Sequence, residues 1–205
     1  WDIVEYAPSK VVVTANPGSG GFAYVVAVDV ADPGTARRVA GNRIIRASPN
    51  LALSQDAASI YVGEGFSPNS LYKLDATQAE LPIVLEDQHG RVSGTNHIEL
   101  SDDGKFVYLR SGQQLVAETF STLNTFSAGP SRLSADQKVL YIGQSSGASA
   151  FGPIDQMLMQ PVSGTAGTVA KIGCTFEKLV EIIPTSSGFV TIGDDLVCIN
   201  RVVDR

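Results

Sequence analysis

Short apolar runs broken by polar, turn-forming residues set the rhythm of this chain. "NLAL" (50–53) leads into "SQDAAS" and then "IYVG". "HIEL" (97–100) leads into "SDDGK" and "FVYLR", and "PSRL" (130–133) into "SADQK" and "VLYIG". The run after each turn is β-branched and aromatic, a composition that favours strand over helix. Each copy therefore predicts a β-hairpin.

The three copies share more than a rhythm. Leu53, Leu100 and Leu133 each precede a serine (Ser54, Ser101, Ser134). An aspartate stands two positions beyond each serine (Asp56, Asp103, Asp136), and a tyrosine seven beyond (Tyr61, Tyr108, Tyr141). Ser and Asp side chains in a turn bond nearby backbone N–H groups, and Gly104 tolerates positive φ. Two fainter copies flank these three. In "APSKVVVTANP" (7–17) the second strand is expected at Val11–Thr14, and in "PTSSGFVTIGDD" (184–195) at Phe189–Ile192. Val12, Tyr61, Tyr108, Tyr141 and Thr191 are then equivalent, with the shortest step between Tyr108 and Tyr141.

A third strand is expected after each hairpin, at 22–30, 70–75, 114–120, 156–160 and 195–200. A weaker fourth follows in most copies, at 37–46, 81–85, 121–126 and 168–172. No amphipathic helix competes, since Pro82 interrupts the one tempting stretch. Four strands per repeat of roughly 40 to 50 residues is the arithmetic of a β-propeller blade. The expectation is all-β, a single propeller domain over 1–205 with five blades of about four antiparallel strands. The repeats run 1–48, 49–94, 95–127, 128–174 and 175–205, and the third is expected to have a clipped outer strand. A β-sandwich is the alternative. "WDIVEY" (1–6) fits either the innermost strand of the first blade or the outer strand of the last, in a closed five-bladed ring.

Composition narrows the partners. Apolar residues make up 43% of the chain and charged residues 18%, as in a folded globular chain, and the net charge is -6. A basic footprint for nucleic acid is missing. No apolar run reaches the roughly 18 residues of a membrane helix. The chain opens on Trp1 and reads as a mature or excised piece, which leans toward an extracellular, cell-surface or periplasmic location. Cys174 and Cys198 form either one disulfide or two buried thiols. No metal or cofactor is expected.

At residues 97–108 a family resemblance can be named. "HIELSDDGKFVY" resembles the repeat of YVTN-type and lactonase-like β-propellers, His-x-x-x-Ser-x-Asp-Gly-Lys-x-x-Tyr. His97, Ser101, Asp103, Gly104, Lys105 and Tyr108 fall on that pattern. The other two clear copies keep Ser, Asp and Tyr but lack His and Gly. Members of that family usually carry about seven blades, whereas five are counted here, so the chain is either a five-bladed ring or a piece of a larger one.

Two function classes follow. In "NHIEL", His97 and Glu99 share one strand face. With Asp2 or Glu5 from the first repeat and Glu177 or Glu181 from the last, they are the candidates for a lactonase-like or glycosidase-like hydrolase acting in a central channel. The reading preferred here is a non-catalytic binding or scaffold module. The loops 14–22, 63–70 and 143–153 occupy one position in three repeats and are expected on one face. They are rich in Gly, Ser and Asn, and they carry Phe22, Phe66 and Phe151 as anchors for a protein or carbohydrate ligand.

Overall fold

The structure, a computed structural model, describes residues 2–15, 22–32, 34, 36–38, 45–46, 50–65, 69–87, 91–144, 154–163, 167–176, 179–185, 188–193 and 197–201. Apart from a 3-10 residue at Gly34, the regular structure among them is strand. The chain forms two compact units, Trp1–Asn124 and Thr125–Arg205.

The first unit carries three antiparallel sheets. The first contains β1 (Ile3–Ala7), β2 (Lys10–Ala15), β3 (Phe22–Asp29), β4 (Arg37–Arg38) and β5 (Ile45–Arg46), in the order β1-β2-β3-β4 with β5 also on β3. The second is β6 (Asn50–Leu53), β7 (Ser59–Gly63), β8 (Leu71–Asp75) and β9 (Ile83–Asp87). The third is β10 (Ile98–Leu100), β11 (Phe106–Leu109), β12 (Gln113–Val116) and β13 (Thr122–Thr125), whose last residue begins the second unit. The second unit holds β14 (Ser131–Leu133), β15 (Val139–Gln144), β16 (Ile154–Pro161) and β17 (Thr168–Phe176). It also holds a three-stranded sheet of β18 (Leu179–Thr185), β19 (Gly188–Gly193) and β20 (Val197–Arg201). Apart from β5, which pairs with β3, the strands of each sheet are paired in sequence order.

Several expectations are corrected in detail. Of the two places open to the first residues, β1 takes the first, pairing with β2 in the first sheet. The strand expected over 114–120 stops at Val116, because the Val116 carbonyl accepts from both Thr119 N–H and Phe120 N–H and turns the chain. Phe120 sits at φ 54° with its ring buried. The third sheet keeps all four strands; its economy lies in the short connections 110–112 and 117–121, not in a clipped outer strand. β17 runs to Phe176, past the expected end of the fourth repeat.

Three hairpins are closed in one way. The hydroxyls of Ser54, Ser101 and Ser134 donate to Asp56, Asp103 and Asp136 at 2.6, 2.8 and 2.7 Å. Each hydroxyl also accepts the N–H that opens the second strand or stands next to it: Ser59 at 2.9 Å, Phe106 at 2.9 Å and Val139 at 3.0 Å. Each carboxylate accepts a turn N–H from Ala58, Lys105 or Lys138. The residue at the tip is left-handed in all three, Ala57 at φ 55°, Gly104 at 68° and Gln137 at 60°.

The tyrosines follow from this register. Tyr61, Tyr108 and Tyr141 face Ala52, Glu99 and Arg132 across the hairpin. All three are buried, which raises each hydroxyl's pKa, to about 12 for Tyr61 and Tyr108. Thr191 is not their counterpart. It lies opposite Ile182 and Cys198 on the face that joins Tyr141 and Met157 in one core, so the fifth sheet's equivalent row is displaced by one residue.

Sheets stack through apolar faces. Val12, Val25 and Ala27 of the first sheet pack with Leu51, Ile60 and Val62 of the second. Tyr61 and Leu71 of the second pack with Ile98, Val107 and Leu115 of the third. In the second unit Tyr141, Met157 and Ile172 meet Ile182 and Phe189. Removing a fully buried side chain such as Leu115 would cost about 2–5 kcal/mol. Cys174 of β17 and Cys198 of β20 form a disulfide across this stack, with Cα atoms 6.4 Å apart.

Candidate functional site

The first strands of the first unit lie side by side, β6 next to β1 and β10 next to β6. Equivalent residues at their N-terminal ends link them. Asp2 is held by reciprocal bonds with Thr14: its N–H donates to Thr14 Oγ1 at 2.8 Å, and its carbonyl accepts Thr14 N–H at 3.0 Å. Its carboxylate then accepts the Leu51 N–H at 2.7 Å and the Asn50 side-chain amide at 3.1 Å. Asn50 Oδ1 in turn accepts the Ile98 N–H at 3.0 Å. The same bond is thus made from sheet one to sheet two and from sheet two to sheet three. The first strands run in one sense, so all three connections between second and third strands leave on one face of this unit.

That face is the candidate site. The connections on it differ in length: 16–21 in the first sheet, 64–70 in the second and only 110–112 in the third. The base of the second is fixed by Glu64. Its N–H donates to the Ser70 carbonyl at 3.0 Å, its carboxylate accepts the Ser70 N–H at 3.0 Å, and its carbonyl accepts the Thr95 hydroxyl at 2.7 Å. Gly63 beside it presses on the next sheet, where a Cβ would run into the Thr95 carbonyl. The third connection turns tightly through Gly112 at φ 88°. Below it Gln113 accepts the Ser93 N–H at 2.8 Å and donates to the Arg91 carbonyl at 2.9 Å. Asp87, fully buried, forms an ion pair with Arg91.

The residues singled out in the sequence fall as follows. Glu99 lies in β10, opposite Tyr108, and is 8% exposed. Its charge adds to the burial that raises Tyr108. His97 precedes the strand, with its N–H directed at the Gly94 carbonyl at 3.4 Å. Asp2 belongs to the inter-sheet bonds, and Glu5 is exposed on β1. Glu181 pairs with Ile192 in β18, and nothing is described of its side chain. Glu177, Phe66 and Phe151 lie outside the described residues. Phe22 opens β3 opposite Arg46, and its side chain is likewise outside them.

On the opposite face, the hairpin tips of the second and third sheets border a cleft of about 370 Å³ lined by Gln55, Asp56, Asp102, Asp103 and Gly104. Its carboxylates already have partners. The Ser54 hydroxyl holds Asp56 below the usual carboxylate range. The Ser101 hydroxyl, aided by Lys105, holds Asp103 at about 2. Lys105 Nζ sits 3.0 Å from Asp103. Among the described residues no three His, Cys, Asp or Glu side chains are grouped to hold a metal ion.

Solved structures resemble this arrangement. The chain matches the Dos1 propeller with a TM-score of 0.63 at 11% identity, over 94% of this chain and 49% of that one. The fold is that of a β-propeller. The RRP9 WD40 repeats match with a TM-score of 0.55 at 15% identity, over 71% and 45% of the two chains. A chain of the mitotic checkpoint complex matches with a TM-score of 0.57 at 13% identity, over 90% and 55%. The propeller matched here is thus spanned to about half the length of those structures. No protein-family model and no curated protein matches the chain.

Proposed function

We propose that this propeller is a non-catalytic binding module that recognises a protein partner through the connections between its second and third strands. One observation carries the reading. The Asp2–Asn50–Ile98 bonds set three sheets in a common orientation, while the connections that leave on that face vary in length and composition. A constant scaffold with variable loops is the usual basis of recognition. Their Gly, Ser and Asn content suits adaptable polar contacts, with Phe22 and Phe66 as the aromatic anchors. The match to a chain of a multi-protein assembly adds support for a protein ligand over a carbohydrate. The repeat at 97–108 resembles that of the YVTN-type propellers, which supports this reading. The disulfide supports an extracellular, cell-surface or periplasmic setting, where such bonds persist.

The test pairs two assays on the purified chain. Panels of lactones and aryl glycosides are screened for turnover with the native protein and Glu99→Gln, and protein and glycan arrays are screened for binding. Binding to proteins without turnover is the expected result. Turnover that Glu99→Gln abolishes in a folded protein would replace this reading with the hydrolase.

A further inference from the structure

Charge is unevenly placed on the third sheet. Its hairpin-tip end carries Asp102, Asp103 and Lys105, beside Asp56 of the second sheet. At its other end stand Arg91 and Arg110, both exposed. Ile98 pairs with Leu109 and Asp87 with Leu71, so the segments 91–97 and 110–112 lie at the same end as the connections between second and third strands. Among the described residues of 64–70, 91–97 and 110–112 the one carboxylate, Glu64, is buried and accepts the Ser70 N–H. Glu86, on β9, is half-buried and already engaged.

One network sets the two arginines. The Gly94 carbonyl accepts the Arg110 N–H at 3.1 Å. Gly94 itself, at φ 67°, approaches the 110–112 turn so closely that a Cβ would run into the Ser111 N–H. Gln113 ties both segments together. Its Nε2 donates to the Arg91 carbonyl at 2.9 Å, and its Oε1 accepts the Ser93 N–H at 2.8 Å and the Ser111 hydroxyl at 3.1 Å. The Arg91 guanidinium is then fixed from below by its ion pair with Asp87. Asp87 is fully buried, and apart from that ion pair its carboxylate oxygens have no hydrogen-bond partner among the described residues. Arg91 therefore compensates a buried charge while its own side chain stays 70% exposed. A guanidinium carries five N–H donors in a rigid fork, so donors remain for a second anion. Among the described residues no carboxylate pairs with Arg110.

We propose that this end of the third sheet docks an acidic segment of a protein partner, the Arg91 and Arg110 guanidiniums donating to its Asp or Glu carboxylates. The inference rests on the reading of this face as the protein-binding one and adds the chemistry of the partner. Arginine forks match carboxylates in planar, two-bond pairs. The chain as a whole carries a net charge of -6, which repels an extended polyanion at long range. Two positioned cations in such a field suit a short acidic stretch.

The experiment is fluorescence polarisation of the full chain with a labelled Gly/Ser peptide that carries adjacent glutamates, beside the same peptide with glutamines in their place. The Glu peptide should bind, the Gln peptide should not, and binding should weaken as salt is raised. Arg110→Ala should weaken it about tenfold. Arg91→Lys keeps a cation for Asp87 but loses the fork, and it should weaken binding several-fold in a protein whose thermal unfolding is unchanged. Equal binding of the two peptides, or an affinity for the Glu peptide that neither substitution changes, overturns the proposal. The same preparations are run on a protein array. A native protein that holds array proteins but not the Glu peptide, with both variants holding the same proteins, overturns this inference alone. A native protein that holds neither overturns the protein-binding reading with it.

Discussion

Asn50 stands between Asp2 and Ile98, donating its amide to the Asp2 carboxylate at 3.1 Å and accepting the Ile98 N–H at 3.0 Å. One side chain thus joins the first strands of three sheets. Asn50→Ala leaves a half-buried N–H and a carboxylate each short of a partner, at a cost of about 1–3 kcal/mol. Asn50→Asp costs more at neutral pH, because two carboxylates then face each other. Chemical denaturation gives both values, and hydrogen exchange at the Ile98 amide should accelerate in Asn50→Ala. Unchanged exchange there would mean that the bond does not tie the sheets.

The hairpin tips predict opposite effects of one exchange. Ala57 and Gln137 occupy left-handed backbone, which costs an L-residue roughly 1–2 kcal/mol. Ala57→Gly and Gln137→Gly should each stabilise the protein by up to about 1 kcal/mol, the gain being reduced by glycine's freedom in the unfolded chain. Gly104→Ala should destabilise by a similar amount. No atom lies within 4 Å of the added Cβ, so the cost is conformational alone. Thermal unfolding of the three variants decides, and a destabilised Ala57→Gly would contradict the shared tip geometry.

Much of this was legible in the chain, for a physical reason. Ser101, Asp103 and Tyr108 act within a single hairpin, so their spacing survives as a local pattern and fixes the register. Asp2 and Asn50 act between sheets far apart in sequence, and no local pattern announces that bond. Phe120 reads as the end of a strand because "QLVAETF" is apolar enough, yet it turns back to place its ring 6.2 Å from that of Tyr61. The row equivalent to the tyrosines is offset by one residue from Thr191, and the sequence does not mark this because the fifth copy lacks the Ser, Asp and Tyr that mark register elsewhere. Glu99, one of the hydrolase candidates, lies buried in β10 opposite Tyr108, a cross-strand position that the sequence alone does not give.

The Ser–Asp pairs also set a pH dependence. The Ser101 hydroxyl is the largest cause of the low Asp103 value of about 2. A carboxyl depressed in the folded state stabilises above its unfolded pKa of about 3.9 and loses that contribution as pH falls toward 2. Ser101→Ala should move Asp103 up toward the ordinary range in a carboxyl NMR titration and reduce the acid dependence of stability. A value still near 2 would place the cause elsewhere.

Tyr61 and Tyr108 shift in the other sense. Burial raises both to about 12. A raised tyrosine contributes stability below its unfolded pKa of about 10, and this is lost as pH rises toward 12. Ultraviolet titration should show these two ionising late and together with loss of structure. Early ionisation in the folded protein would contradict their burial.

The disulfide ties β17 to β20 across 24 positions of chain. Replacing both cysteines by alanine should cost about 3.5 kcal/mol on the loop-entropy estimate. Thiol titration of the native protein should find no free cysteine before reduction.

The most direct measurement removes the residues between Gly65 and Ser70 from the β7–β8 connection and closes the gap with Asn-Gly. Glu64, Ser70 and Thr95 stay in place, and thermal unfolding and protein-array binding are read on the same preparation. The expected result is a nearly unchanged unfolding temperature with the partner signal lost. An unchanged partner signal, or a protein that no longer folds, would contradict a constant scaffold that carries its recognition in this loop.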